Sequence, residues 1–326
     1  MLTAVNLICV VALWLVERHV AECHWLTTLI VYAPQHPVGV PTALLVAWSL
    51  WRRRRKVLVA NLVALAVFVF PLLGFSVPLG WLARPSGVLL RVMTWNIHHA
   101  PQGAASIMEQ VNQSGADVLC FQEAEEHPQR DDPVLRLKWL LYGWHIAHEG
   151  ELTTYSRHPL VSHRLVYLRA GNLRPALETV LDIEGTQVRV LNVHLSTAAY
   201  PASLLHHTGS TPNYLRHTAQ VRTEQVDGLL RVTAGARGPL VVAGDFNTPP
   251  RGLLYLRLAR RFQDAFRAGG WGLGYTFKSS RLLWRIDYVF LGSGVAATSC
   301  YAPTTDASDH RPVVAELRVS AGREAR

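Results

Sequence analysis

Charge is scarce in this chain. Asp, Glu, Lys and Arg make up 17% of its 326 residues, against roughly 25% in ordinary globular domains. Apolar residues reach 49% and the mean hydropathy is +0.14, which is high for a soluble enzyme. Lysine occurs only at 56, 138 and 278, so arginine supplies the other 29 of the 32 cations. A GC-rich genome produces that bias as readily as a function does. Cysteine is equally sparse. Cys9, Cys23, Cys120 and Cys300 form no CxxC pair, which excludes a cysteine metal site and a disulfide framework. No internal repeat is present. A strong excess of one charge sign is also missing from most of the chain. Residues 1–87 hold seven basic and two acidic side chains, +5, and the remainder 25 against 21, +4. A domain so mildly basic gives little support to a polyanion groove.

The apolar residues are concentrated at the start. Residues 1–87 read as a transmembrane segment of about three spans, over 2–16, 25–51 and 57–82. A span needs about 20 residues. The third run qualifies outright. The second, broken by Pro34, His36 and Pro37, qualifies only if bent or partly interfacial. The first lacks the basic flank and small-residue exit of a cleaved signal peptide. Between runs two and three stands RRRRK, residues 52–56. Short cation-rich loops stay cytoplasmic. The expected topology is therefore a multi-pass cell-membrane protein with a cytoplasmic N-terminus and an extracytoplasmic domain.

Residues 88–320 read as a globular domain, followed by a disordered tail, 321–326. Strand patterns occur at 88–97, 116–124, 151–160, 285–292 and 309–319, and a hairpin at 176–195 turns at Glu-Gly. PLVVAGDFN adds another strand. Helical patterns cover 103–115 and 213–235. Interleaved strands and helices indicate an α/β sandwich.

Polar residues close or interrupt these apolar runs. They are Asn96, Glu123, Asn192 with His194, Asp245 with Asn247, Asp287, and Asp309 with His310. One such residue means little, because Asn and Asp favour turns. Six such strand ends would converge at one edge of a core. Hard oxygen donors without cysteine select Mg²⁺ or Mn²⁺ over Zn²⁺. A histidine beside an acid can transfer protons. The ensemble suits metal-assisted attack of water on phosphorus.

The ordered motifs TWNI, QE, SRHPL, NVHL, GDFN, IDYVF and SDHRPV span residues 91–314. In that order they resemble the endonuclease/exonuclease/phosphatase superfamily, with its pancreatic-deoxyribonuclease-like fold. The resemblance implies a four-layer sandwich: two packed mixed β-sheets flanked by helices, with the site at one end. It implies Glu123 as main metal ligand, with Asn96 and Asp309 close to the metal. Asp245 and Asn247 would hold the nucleophilic water or the phosphoryl oxygens. His310 would act as acid/base, oriented by Asp287, and His194 would stabilise phosphoryl charge. Arg174, Asn192 and Asn247 would help bind the phosphate. Glu151 is a candidate partner of His194. Arg157 fits a structural role, and His98 and His99 either line the pocket or face solvent.

The substrate follows from the membrane segment. Only residues 83–87 separate the third run from the first strand, a reach under about 20 Å. A site held at a bilayer meets lipid head groups more often than nucleic acid. The long segments 196–215 and 271–284 mix aromatic and aliphatic residues that suit a lipid. The layout resembles a membrane-anchored subgroup that includes the teicoplanin-resistance protein of the vancomycin-resistance gene set. That likeness implies a polyprenyl (undecaprenyl) pyrophosphate phosphatase. The alternatives are a phospholipid or sphingomyelin-type phosphodiesterase and a surface nuclease.

Overall fold

The side-chain alternation of β1 (Val88–Asn96) already contains the plan of the sandwich. Leu90 and Val92 enter an apolar layer between two sheets. Met93 and Trp95, on the other face, join a second core with Ile107 and Val111 of helix α5 (Ala104–Ser114). A period of two sends neighbours to opposite faces, so both faces of β1 are buried. The computed structural model describes residues 1–78, 85–127, 132–169, 171, 174–197, 210–280 and 283–320. The tail 321–326 and most of the insertion at 196–215 lie outside them.

The first sheet also contains β2 (Val118–Gln122), β3 (His145–Glu149), β4 (Leu152–Ser156), β11 (Val295–Tyr301) and β12 (Val313–Val319), in the order β11-β12-β1-β2-β4-β3. The second contains β5 (Leu160–Val166), β6 (Ala176–Ile183), β7 (Thr186–His194), β8 (Leu240–Asp245), β9 (Gln263–Asp264) and β10 (Asp287–Leu291), in the order β5-β6-β7-β8-β10-β9. Helix α5 and α6 (Pro133–Leu140) cover the first sheet. Helices α7 (Thr211–Ala234) and α8 (Gly252–Arg261) cover the second through Val226, Leu229, Leu254 and Leu258. A short α9 (Ala265–Gly269) precedes the loop to β10. The expected four-layer sandwich is therefore present.

Local chemistry explains the element ends. The β6–β7 hairpin turns at Glu184-Gly185 with φ of 50° and 82°, the double left-handed geometry that matches the strand twist. Helix α5 stops at Gly115, φ 58°. The sequence pattern leaves α6, β3, α8, α9 and β11 unmarked, because they are short or flanked by polar residues.

The layer between the sheets changes character along the strands. Leu90 and Val92, Val118 and Cys120, Val188 and Val190, and Val241 and Ala243 are buried and apolar. Two residues further on, Thr94, Gln122 and Asn192 are buried and polar. Gln122 Nε2 donates to Asn192 Oδ1 (2.7 Å) and Thr94 Oγ1 (3.1 Å). Asn192 Nδ2 donates across to the carbonyls of Phe121 (3.0 Å) and Thr153 (3.1 Å). Asn192 thus ties β7 of one sheet to β2 and β4 of the other.

At the N-terminus, α1 (Leu2–His19) is followed by α2 (Trp25–Tyr32), α3 (His36–Trp51) and α4 (Arg55–Val67). Leu2–His19 and Arg55–Leu72 are each long and apolar enough to cross a membrane. The pair α2–α3, bent by 67°, gives a third candidate. Their outward faces carry Ile8, Leu44, Trp51 and Val59, all more than half exposed. The third run differs from the expected 57–82. Its helix widens into a π-helical turn over Phe68–Leu72, which contains Pro71, and ends there. Proline has no N–H for the ladder, and Gly74 follows at φ 79°. The chain then lies on the globular domain, where Ser76 and Gly272 exchange backbone hydrogen bonds of 2.8 and 3.0 Å. Contact with the domain therefore begins well before residues 83–87.

Replacing Asn192 with leucine would take one acceptor from Gln122 Nε2 and the side-chain donor from the Phe121 and Thr153 carbonyls in the core. A loss of about 2–4 kcal/mol is expected. Denaturant unfolding of the full chain in detergent measures it. Stability equal to wild type would contradict the inter-sheet role.

Candidate active site

One residue pair beyond the polar layer, the strands end and the charged groups begin. In the second sheet His194 of β7 lies opposite Asp245 of β8, and Asp245 lies opposite Asp287 of β10. Register alone puts these three side chains in one row, on the face that looks toward the first sheet. From that sheet come Asn96, paired with Gln122, and Glu123 directly after it. His310 enters from the loop before β12. Its backbone carbonyl accepts from Trp95 Nε1 (2.9 Å), and its ring packs 4.6 Å from that of Phe277.

Asp245 is the hub. Its Oδ1 accepts from the backbone N–H of Asn247 (2.8 Å). Its Oδ2 lies 3.2 Å from Asn96 Nδ2, 3.6 Å from His194 Nε2 and 3.9 Å from His310 Nε2. Each histidine is held from behind by another carboxylate. Glu151 Oε2 is 2.9 Å from His194 Nδ1, and Asp287 Oδ2 is 3.0 Å from His310 Nδ1. Glu151 therefore stands where its candidacy placed it. Threonine Thr276 steadies Asp287, since its Oγ1 accepts from the Ile286 and Asp287 amides.

Burial and charge set the protonation states. Burial raises Asp245, and the neighbouring Asp287 charge adds to that, against the pull of His310 and His194. Burial alone would lower His310, but the Asp287 and Asp245 carboxylates override it and bring the imidazole up to about 10. Glu123 behaves in the opposite way. Burial opposes its charge, yet hydrogen bonds from Asn96 and His98 and the field of His194 bring it down to about 2. Its side chain is 25% exposed and stays ionised. Burial likewise opposes the charge on Glu151, but its hydrogen bond to His194 leaves it lowered.

Asn96 Nδ2 donates to Glu123 Oε1 at 2.9 Å, and His98 Nδ1 meets Glu123 Oε2 at 3.1 Å. Residues His98, His99 and Ala100, with φ of 46°, 55° and 52°, wrap the backbone around Glu123. His99 instead faces Glu125 at 3.3 Å. Arg174 Nη1 is 3.7 Å from Glu151 Oε1, so it borders the cluster. Asp309 contributes to the raised pKa of His310, and its carbonyl accepts from the Ser279 amide. One expectation changes. Asn192 does not reach the cluster as a phosphate ligand, because its amide is spent on the inter-sheet bonds one layer below. Arg157 stacks 4.6 Å from Trp144 at the other end of β2. The sequence alone assigns no role to Gln122, Thr276 or Phe277. Only Gln122 had a cue, as the neighbour of Glu123.

The donors fit a hard divalent cation. They are oxygens, with an ionised, partly exposed Glu123 at the mouth, and the buried Cys120 and Cys300 contribute to the apolar core instead. Asp245, Asp287 and His310 also offer ligand atoms within 4.8 Å of one another. There, however, Asp287 and His310 already hold each other.

A sandwich of this topology with acids and histidines gathered at one end defines a hydrolase acting on phosphate esters. The chain belongs to the endonuclease/exonuclease/phosphatase family, which it matches over residues 93–310. It is similar to a UPF0294 protein of Vibrio cholerae serotype O1, 26% identical over 278 residues, covering 69% of this chain and 92% of that one. Among solved structures, an endonuclease/exonuclease/phosphatase protein from Beutenbergia cavernae shares 25% identity and a TM-score of 0.55, covering 73% of each chain. A Bacteroides thetaiotaomicron mannosyl-6-phosphatase shares the fold at 17% identity and a TM-score of 0.54, covering 70% of this chain and 99% of that one.

The raised His310 carries a stability consequence. A folded-state pKa above the ordinary 6.5 contributes stability that is fully present below 6.5 and is lost as the pH rises through about 10. Asp287→Asn removes the largest charge behind that rise. The melting temperature of wild type should fall toward that of the variant between those two pH values. A pH-independent gap would refute the assignment.

Proposed function

We propose that this protein is a membrane-anchored, divalent-metal-dependent phosphoesterase that hydrolyses a lipid-linked phosphate. The substrate it suits best is a polyprenyl pyrophosphate, undecaprenyl pyrophosphate, on the outer face of a bacterial membrane. One observation carries this reading: Arg251, four residues after Asn247, donates to the carbonyls of Val31, Ala33 and Leu72 in the apolar helices. The site loop is thus seated on the segment that is apolar enough to span a bilayer. The ends of α1 and α4 also meet there, since Glu17 lies 3.6 Å from Arg251. The cationic stretch 52–56 sits between α3 and α4, at their other ends. The positive-inside rule then gives a cytoplasmic N-terminus and an extracytoplasmic domain. The resemblance to the teicoplanin-resistance protein supports the same substrate class.

Glu123, with Asn96 hydrogen-bonded to it and Asp309 as a further ligand, would hold Mg²⁺ or Mn²⁺, which when bound would polarise a phosphoryl oxygen. The chain's own groups divide the remaining work. Asp245 and Asn247 orient the attacking water, and Asp245 takes its proton. Burial already favours the protonated form of Asp245, so it is suited to that transfer. His310, cationic below about pH 10, faces the departing oxygen as a proton donor and is aimed by Asp287. His194, oriented by Glu151, donates to the phosphoryl group. Arg174 offers its guanidinium at the rim.

The test is a substrate panel on the full chain in detergent with Mg²⁺: undecaprenyl pyrophosphate, a phospholipid and single-stranded DNA. Phosphate release from the pyrophosphate is expected, abolished by chelator and reduced at least ~100-fold in His310→Ala. Rapid DNA cleavage with no release from the lipid would overturn the substrate. An unchanged rate in His310→Ala would overturn the acid/base role.

A further inference from the structure

We infer that Arg222 is a positioning residue for Asn247, and that Tyr32 at the break between α2 and α3 holds it in place. The apolar helices would then be part of the scaffold of the active site, not only its anchor. This rests on the reading above that Asn247 works in the site.

Asn247 is a non-glycine residue in the left-handed region, φ 49°, a conformation that persists only when its surroundings over-determine it. Its N–H donates to Asp245 Oδ1, and its side-chain Nδ2 donates to the Leu195 carbonyl at 3.0 Å. Those bonds fix one side of the residue. The other side depends on its carbonyl, which accepts from Arg222 Nη2 at 2.8 Å. Arg222 also donates to Thr248 Oγ1. Both peptide planes flanking Asn247 are thereby set, and with them the direction of its carboxamide.

Arg222 lies on α7 and is 1% exposed. None of its hydrogen bonds reaches a carboxylate. Its Nη1 donates to the Tyr32 hydroxyl, and its guanidinium lies 4.8 Å from the Tyr32 ring. Its Nε has no partner among the described residues. A buried cation is costly unless compensated. Here the compensation arrives through Tyr32, whose hydroxyl donates to Glu22 Oε1 at 3.3 Å. Without Tyr32 the guanidinium loses both an acceptor and its link to the nearest acid, and its hold on the Asn247 carbonyl loosens.

Tyr32 is itself placed by the break. It ends α2, where the helix pair bends by 67°. Helix ends leave carbonyls without intrahelical donors. Those of Val31, Tyr32 and Ala33 are taken by Arg251 Nε (2.7 Å), Trp284 Nε1 (3.0 Å) and Arg251 Nη2 (2.9 Å). Glu22 Oε2 accepts from the Leu253 amide at 2.8 Å. The segment 247–253 is therefore gripped by the helical region directly at Arg251 and Leu253 and through Arg222 at Asn247. A passive tether needs none of these contacts.

The test uses the full chain in detergent, with undecaprenyl pyrophosphate and Mg²⁺, and with bis(p-nitrophenyl) phosphate as a soluble probe. Tyr32→Phe and Arg222→Gln should each lower kcat about tenfold with KM little changed, as expected for a misplaced group. Amide exchange should rise over 246–253 while β8 stays protected. In an Asn247→Ala background neither change should cost more, because the effects run through one residue. Wild-type kcat in Tyr32→Phe, or losses that multiply with Asn247→Ala, would overturn the coupling. If Arg222→Gln does not fold, Tyr32→Phe, which removes a single oxygen, carries the cycle. If Asn247→Ala is fully active, the site assignment itself falls, and the coupling with it.

Discussion

The inter-sheet hydrogen bonds of Asn192, with Gln122 and with the Phe121 and Thr153 carbonyls, are the constraint on which the rest of the molecule depends. Apolar layers resist separation but tolerate sliding, because burial has no direction. A buried amide pair does have direction. Asn192 can satisfy the Phe121 and Thr153 carbonyls and the Gln122 amide at only one offset of the two sheets. That offset places Asn96 and Glu123 of one sheet against His194 and Asp245 of the other. The polar layer adds register to a sandwich whose cohesion comes from its apolar layers.

Above that layer the charged groups alternate. Glu151, His194, Asp245, His310 and Asp287 form a row of carboxylate, imidazole, carboxylate, imidazole, carboxylate, with gaps of 2.9, 3.6, 3.9 and 3.0 Å. The outer gaps are hydrogen bonds. The two inner gaps, on either side of Asp245, are longer. The row is thus closed at its ends and open in the middle, where a water or a phosphoryl oxygen can take the free bonding capacity. Glu123 stands to one side, ionised and reachable from solvent. Two carboxylates a few ångströms apart are thus held in opposite senses, Glu123 toward its ionised form and Asp245 toward its protonated one.

Much of this was legible in the chain itself. A polar residue ending each apolar run is a local pattern, so Asn96, Glu123, His194, Asp245, Asp287 and His310 stood out before any fold was known. The sandwich followed from the alternation of strands and helices. Asn192 was misjudged for a physical reason. It shares its strand and its face with His194, and one strand repeat separates a core amide from a reacting group. Sequence cannot say where along the strand the core stops. Arg222 and Tyr32 were invisible for another reason. They lie 190 positions apart in segments that read as a helix and a membrane run, and only tertiary packing joins them. The third apolar run was overextended because Pro71 and Gly74 end the helix while the residues around them keep the run apolar.

Arg251 has a further consequence for how the protein is made. The carbonyls it satisfies at Val31, Leu72 and Ala33 precede it by 220, 179 and 218 positions. Translation delivers the helices first, so those oxygens must be satisfied by other donors, such as water, until Arg251 has been made. The bend between α2 and α3 can dry out only after GDFNTPPR has emerged. Formation of the helices and closure of their bend are therefore separate events in folding, with the later one waiting on Arg251 and Trp284.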